Sequence, residues 1–350
     1  MKNALYYTII KAAIMNSLFP TVEISLGSLR LKNRVILAPL AGIADRVFRH
    51  ICRYHGASLC LTEMVSADGL VRHNRKTYEM VTVSPDDSPL GVQLFGSDPI
   101  VISQAAQMAE DAGADLVDFN VGCPVRKVVK RGAGAALLGN LDLLQQIIHQ
   151  LVSAVQIPVT IKIRSGIKSD KPVFVEIGKI AEQEGIAAIA LHPRSLHQVF
   201  AGKANWNHIA ELVATVKIPV IGSGDIFTPD DAFRLVQETG CQAVMVARGA
   251  LGNPHLFRQI TAAFQGESVP PNLSTAERLD ALLEHYDLVL SEYGLRNGVY
   301  RMRAPINWYI RGMSGASHLR QTLMHLTNPD EVRTVIRNFK NHVVSNQPPL

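Results

Sequence analysis

Between Asn33 and Leu256 the chain repeats one unit eight times: a short apolar run, a polar or glycine-containing loop, then a stretch with helical periodicity. The apolar runs are Val35–Leu40, Ser58–Thr62, Leu90–Phe95, Leu116–Phe119, Val159–Ile163, Ala187–Leu191, Val220–Gly222 and Ala243–Ala247. Each is the length of a buried strand, and the stretches between them carry helix-end chemistry. Asp98-Pro99 opens one helix that Gly113 closes, and Thr228-Pro229-Asp230-Asp231 opens another that Gly240 closes. The opening Asp or Thr accepts from orphan N–H groups, and Pro lacks only a donor that the first turn cannot use. Eight such units in about 220 residues predict a parallel (β/α)8 TIM barrel rather than an open doubly wound sheet.

The flanking segments read differently. Residues 1–20 form an N-terminal extension in which Lys11 interrupts the apolar stretch and no small-residue cleavage site follows, so Met15 is a candidate start. Glu23–Leu31 alternates around Gly27-Ser28 as a short hairpin. The barrel is assigned to residues 21–264 and a linker carrying Gly266, Pro270 and Pro271 to 265–273. Residues 274–345 show helical periodicity alone and are expected to form an all-helical domain; Pro305 should sit in the first turn of its helix or bend it.

Apolar residues make up 47% of the 350 and charged residues 19%, which excludes disordered and fibrous classes. No apolar run reaches the roughly 20 residues that a bilayer requires, so no membrane association is expected. The four cysteines form no C-x-x-C pair and have no histidines at zinc spacing. No metal site and no disulfide framework is expected, and a reducing cytoplasm fits. A monomer is the expectation. The net charge of +5 leans weakly toward a polyanionic partner.

Barrel chemistry sits where the strands end, at the C-terminal face. Strands seven and eight run into Gly222-Ser223-Gly224-Asp225 and Ala247-Arg248-Gly249-Ala250, the two positions where barrels commonly hold a phosphate. Strand five, Val159 to Arg164, puts Thr160, Lys162 and Arg164 on one face, so Lys162 points into the barrel near its top. A lysine there needs an anion, either a carboxylate or an electron-rich cofactor ring. His192 ends strand six and reads as a ligand contact or a satisfied core donor. Gln93 in strand three offers an amide to a heterocycle edge. Strand four runs into Asn120-Val121-Gly122-Cys123-Pro124, followed by the basic run Arg126, Lys127, Lys130 and Arg131. Gly and Pro hold Cys123 in a loop, where the adjacent positive charges are expected to tune its acidity. Gly132-Ala133-Gly134 does not leave a strand directly and lacks the third glycine of a dinucleotide loop.

Taken together, these motifs resemble the flavin-dependent tRNA-dihydrouridine synthases. The residues that carry the resemblance are Ala38-Pro39-Leu40-Ala41-Gly42, Gln93-Leu94-Phe95-Gly96, Asn120-Val121-Gly122-Cys123-Pro124 through Lys127-Val128, and Gly134-Ala135-Ala136-Leu137-Leu138. Lys162 with Arg164, His192 with Arg194, Gly224-Asp225 and Arg248 complete it. The resemblance implies FMN at the mouth, with Pro39, Leu40 and Ala41 along the ring and Gln93 and Lys162 on its polar edge. It places Ser223, Gly224, Asp225, Ala247 and Arg248 around the phosphate, with His192 as a further contact. It also implies NADPH or NADH as reductant, hydride transfer from flavin N5 to uracil C6, and Cys123 as the acid that protonates C5. Asn120, Arg126, Lys127, Lys130 and Arg194 at the mouth, with Arg301 and Arg303 in the helical domain, are expected to bind tRNA. The chain departs from the family at Ser223, where Asn is usual, at Ala247 and Pro193, where Gly is usual, and at Ala304-Pro305, where many members carry Lys-His. An FMN barrel that reduces a free pyrimidine or a dihydroorotate-type substrate, and a non-redox RNA-binding barrel, are the competing readings.

Overall fold

A computed structural model describes residues 23–345. The N-terminal extension and the last five residues lie outside them. The hairpin forms as β1 (Ile24–Leu26) against β2 (Leu29–Leu31). The barrel strands are β3 (Val35–Leu37), β4 (Leu59–Leu61), β6 (Leu90–Phe95), β7 (Leu116–Val121), β8 (Val159–Arg164), β9 (Ala188–His192), β10 (Val220–Ser223) and β11 (Ala243–Val246). The short β5 (Val65–Ser66) pairs with the top of β6 at Leu94 and Phe95, an addition that its two residues were too few to announce. All pairings among the barrel strands are parallel, and β3 bonds both β4 and β11 while β4 bonds β6, so eight strands close the ring. It is a (β/α)8 TIM barrel.

The alternation of side chains within each strand builds two cores. Outward residues such as Val92, Val117, Ile161, Ile189 and Val244 pack under the helices. Inward residues Ile36, Leu59, Leu61, Leu116, Ala188, Ala190, Ile221 and Ala243 share a separate cluster with Ile24, Leu26 and Leu31 of the hairpin. A Cβ on Gly27 would lie 3.3 Å from Pro158, at the entry to β8, so the hairpin plugs the N-terminal end of the barrel. Burying Ile24, Leu26 and Leu31 contributes roughly 1.5–3 kcal/mol each before entropy costs. With the bottom filled, the open end is the C-terminal one.

The helix ends follow the sequence signals. Asp98 accepts from Ile100 and Val101 at the start of the helix Pro99–Asp111. Thr228 and Asp231 form a capping box ahead of Pro229–Thr239, which Gly240 ends in the left-handed conformation. Ser274 and Glu277 form another ahead of the helix Thr275–Tyr293.

The helices Thr275–Tyr293, Leu295–Tyr309, Ala316–His325 and Pro329–Ser345 pack around their own core. Val47 and Ile51 join that core from the barrel helix Arg46–Tyr54, so the two parts are packed against each other. Phe48 stacks on His285 at 5.9 Å, and His285 Nδ1 lies 3.2 Å from the Tyr309 hydroxyl. Gly252, at φ +66°, fits where a Cβ would meet the Trp308 backbone at 2.5 Å. Pro305 lies deep inside the helix Leu295–Tyr309 rather than in its first turn.

Candidate active site at the barrel mouth

One pocket of about 410 Å³ opens at the C-terminal end of the strands. All eleven residues assigned to the cofactor from sequence line it: Pro39, Leu40, Ala41, Gln93, Lys162, His192, Ser223, Gly224, Asp225, Ala247 and Arg248. Asn120 and Cys123 line it too. They converge because all lie in the C-terminal halves of the barrel strands β3 and β6–β11 or in the loops that follow them.

On the side built by β6, β7 and β8, the inward positions carry polar groups that satisfy one another. Asp118 accepts from Thr160 Oγ1 and from Gln93 Nε2, each at 2.6 Å. Gln93 Oε1 accepts from Asn120 Nδ2 at 2.8 Å. Asn120 Oδ1 accepts from the backbone N–H groups of Gly122 at 3.1 Å and Cys123 at 2.9 Å. Asp118 was not among the residues singled out from sequence, although its position two before Asn120 on one strand placed it on the inward face. Burial pushes its carboxyl up to about 6, against the hydrogen bonds from Thr160 and Gln93 and the nearby Lys162 charge. Burial likewise pushes Lys162 down to about 8, with Arg164 adding to the fall and Asp118 opposing it.

Cys123 is held from behind as well. Ala135 N donates to its carbonyl at 3.1 Å, and Gly134, at φ +61°, leaves room where a Cβ would stand 3.0 Å from that same oxygen. Gly134, just after the basic run, therefore supports the cysteine loop. Arg164 donates to Gly122 O at 2.9 Å, Ser195 O at 3.0 Å and Val199 O at 2.9 Å, which ties this loop to the one after β9. Val199 is a β-branched residue at φ +50°, a strained backbone that this clamp holds in place. Burial pushes the Cys123 thiol up, while a Val125 backbone hydrogen bond and the Arg164 charge pull it down. The cation that tunes Cys123 is thus Arg164, not the neighbouring basic run, and the net shift keeps the thiol protonated at neutral pH. Arg126, Lys127 and Lys130 are exposed on the turn beside the pocket and do not line it.

The opposite side, built by the ends of β9, β10 and β11, is rich in ions. Asp225, at φ +56°, accepts from Arg194 at 2.8 Å, Ala204 N at 2.8 Å and Arg248 at 3.3 Å. Burial works against its charge, but the Arg194 hydrogen bond and the other partners hold its carboxyl below the usual range. Arg194 is 2% exposed and directs its guanidinium to Asp225, Ala201 O, Gly202 O and, at 3.4 Å, His192 Nε2, so it braces the loop from behind and, unlike His192 at the end of β9, does not line the pocket. Arg248 lies between the rings of Phe200, at 4.7 Å, and Phe227, at 5.6 Å. Ser223 gives its proton to Met245 O at 3.1 Å, leaving only lone pairs for a ligand. His192 is pushed down to about 2 by burial and by Lys162, Arg164, Arg194 and Arg248. A neutral histidine under four cations marks a pocket with surplus positive field.

Arg301 and Arg303 lie away from the pocket lining. Arg301 pairs with Asp45, the N-cap of Arg46–Tyr54, at 3.6 Å and covers the Tyr293 ring at 3.9 Å. It links the helical part to the barrel while half of its side chain stays exposed. Arg303 covers Tyr300 at 4.5 Å.

The sequence matches the family described as "Dihydrouridine synthase (Dus)" over residues 36–345. The chain belongs to this family. Among curated relatives, the tRNA-dihydrouridine synthase B of Pasteurella multocida (strain Pm70) is 36% identical over 319 residues, covering 91% of this chain and 96% of that protein. A probable tRNA-dihydrouridine synthase of Mycobacterium tuberculosis (strain ATCC 25618 / H37Rv) is 39% identical over 325 residues, covering 89% and 84%. Among solved structures, histamine dehydrogenase from Rhizobium sp. 4-9 superposes with a TM-score of 0.54 at 13% identity, over 79% of this chain and 51% of that one. Morphinone reductase superposes at 0.52 and 16% identity, over 72% and 90%. At such identities the two structures speak for the barrel fold. The dihydrouridine synthase match spans the pocket, the cysteine loop and the helical region alike.

Proposed function

We propose that this dihydrouridine synthase family member reduces the C5–C6 double bond of uridine in tRNA to 5,6-dihydrouridine, with FMN bound in the pocket and NADPH or NADH as electron source. The observation that carries the reading is the joint presence, in one pocket, of a protonated loop thiol at Cys123 and a cation at Lys162. The pocket chemistry fits FMN. Pro39, Leu40 and Ala41 give an apolar wall for a ring, Gln93 and Lys162 give a donor edge, and Arg248 with the glycine loops suits a phosphate.

When bound, FMN supplies the hydride that C6 receives. Cys123 donates its Sγ proton to C5 and regains one from solvent, so uridine gains two electrons and two protons while the nicotinamide is oxidised. Arg164 and Asn120 hold the loop that presents the thiol. His192, kept neutral, adds no further cation beside Lys162.

Uridine within folded tRNA must be splayed out before its ring reaches Cys123. The exposed Arg126, Lys127, Lys130 and Arg131 suit phosphates near the mouth, and residues 274–345 are the second docking surface. Dihydrouridine in tRNA should be mapped by mass in cells with and without the gene, and the purified protein assayed for FMN. An unchanged map together with a colourless protein that takes up no FMN overturns the reading. Reduction of free uracil or dihydroorotate in preference to tRNA replaces it with the free-pyrimidine reading.

A further inference from the structure

We infer that Asp118 is a positioning residue which sets the direction of the hydrogen-bond chain holding the Cys123 loop. The chain runs Thr160 to Asp118, then Gln93 to Asp118, Asn120 to Gln93, and the loop N–H groups of Gly122 and Cys123 to Asn120. Its members Thr160, Asp118, Gln93 and Asn120 are all buried, between 0% and 6% exposed, so water does not repair a mismatch.

A carboxylate only accepts. Gln93 must therefore turn Nε2 toward Asp118, which leaves Oε1 for Asn120 Nδ2, which in turn leaves Asn120 Oδ1 for the loop. The far end demands the same direction, because backbone N–H groups only donate. Reversing Gln93 sets its carbonyl against a carboxylate, and reversing Asn120 sets its NH₂ against two N–H groups. A neutral amide in place of Asp118 offers a donor and an acceptor alike and fixes neither orientation. What Asp118 contributes to the loop is therefore polarity, carried through two amides to residues two to five positions along its own chain.

The consequence for turnover rests on the reading of Cys123 as proton donor, but the test does not. The full-length protein as purified is alkylated with iodoacetamide, and each cysteine peptide is followed by mass spectrometry without tRNA. Asp118→Asn should speed alkylation of Cys123 about tenfold, the factor that accompanies loss of one net hydrogen bond. Cys52, Cys60 and Cys241 are buried and should stay unlabelled. Adding Gln93→Glu to Asp118→Asn restores an acceptor-only group facing Asn120 Nδ2, and should return Cys123 to within about threefold of the wild-type rate. Arg301→Ala, whose partners Asp45 and Tyr293 lie outside the chain, should not speed Cys123 alkylation. Wild-type reactivity in Asp118→Asn, parallel labelling of the other cysteines, failure of the double variant to restore protection, or an Arg301→Ala rate as high as that of Asp118→Asn each overturns the inference. If Asp118→Asn does not fold, a folded double variant with wild-type Cys123 reactivity supports it and an unfolded one overturns it. A chain that makes no dihydrouridine yet shows this alkylation pattern fails the functional reading alone.

Discussion

The two sides of the pocket are stiffened by different means. On the β6–β8 side, neutral amides and one buried carboxylate bond to each other and end on the backbone of the cysteine loop. On the β9–β11 side, arginines grip Asp225 and backbone carbonyls, and Gly224 and Asp225 both adopt positive φ. The first arrangement has direction, since amides must face one way. The second has charge. Aiming one thiol needs orientation, whereas retaining an anion needs field, and a surplus of cations supplies field without orienting anything.

The largest expected effect breaks the cysteine side alone. Cys123→Ala should lower dihydrouridine formation by a factor of about 10² to 10⁴, the usual cost of one general acid, while flavin content and flavin reduction by NADPH stay unchanged. Near-normal product would return Cys123 to a structural role. Next comes Gly134→Ala, which strains a φ of +61° and presses on the Cys123 backbone. A displacement of about 1 Å should cost product formation about 10²-fold and leave flavin in place. Loss of flavin in this variant would mean that the two sides are not separable.

The charged side is broken by Arg248→Ala, which removes a cation and frees one oxygen of Asp225. Flavin affinity, read by fluorescence titration, should fall about tenfold or more, while Cys123 alkylation stays as in wild type. Equal affinity would remove Arg248 from the phosphate site.

Acid stability sharpens the contrast, because the two sides respond with opposite sign. His192 has its pKa depressed to about 2, so the unfolded chain takes a proton near 6.5 that the fold refuses, and stability falls as pH drops below 6.5. Asp118 has its pKa raised to about 6, so the fold keeps a proton that the unfolded chain releases down to about 3.8, and stability rises over that window as pH falls. The Asp118 contribution is about 3 kcal/mol at most. In melting curves of flavin-free protein from pH 7 to 4.5, Asp118→Asn should steepen the acid fall and His192→Asn should flatten it. The same sign from both variants would refute this assignment.

The smallest effect is expected away from the pocket. Arg301→Ala loses a half-exposed pair with Asp45 and a ring contact, and should lower the melting temperature by a few degrees with flavin affinity unchanged. A rise in the KM for tRNA, measured well below the melting temperature, would give Arg301 a direct role in RNA binding.

Sequence periodicity alone determined the eight strands, the inward aim of Lys162 and the strand ends where Gln93, Asn120, His192 and Arg248 converge, because side-chain alternation and helix caps are local properties. It also isolated the Cys123 loop, since Gly and Pro interrupt the pattern there. Only the tertiary structure decided who answers whom. Asp118 meets Gln93 from 25 residues away and Thr160 from 42, through strand register that no local pattern records. Arg194 was expected to contact substrate, yet closure of the barrel turned its guanidinium onto Asp225 and loop carbonyls. Val47 and Ile51 lie on a barrel helix, and packing commits them to the core of the helical part. Periodicity reports which face a residue lies on. Its partner, and so its charge state and its role, is set by what the closed ring brings opposite that face.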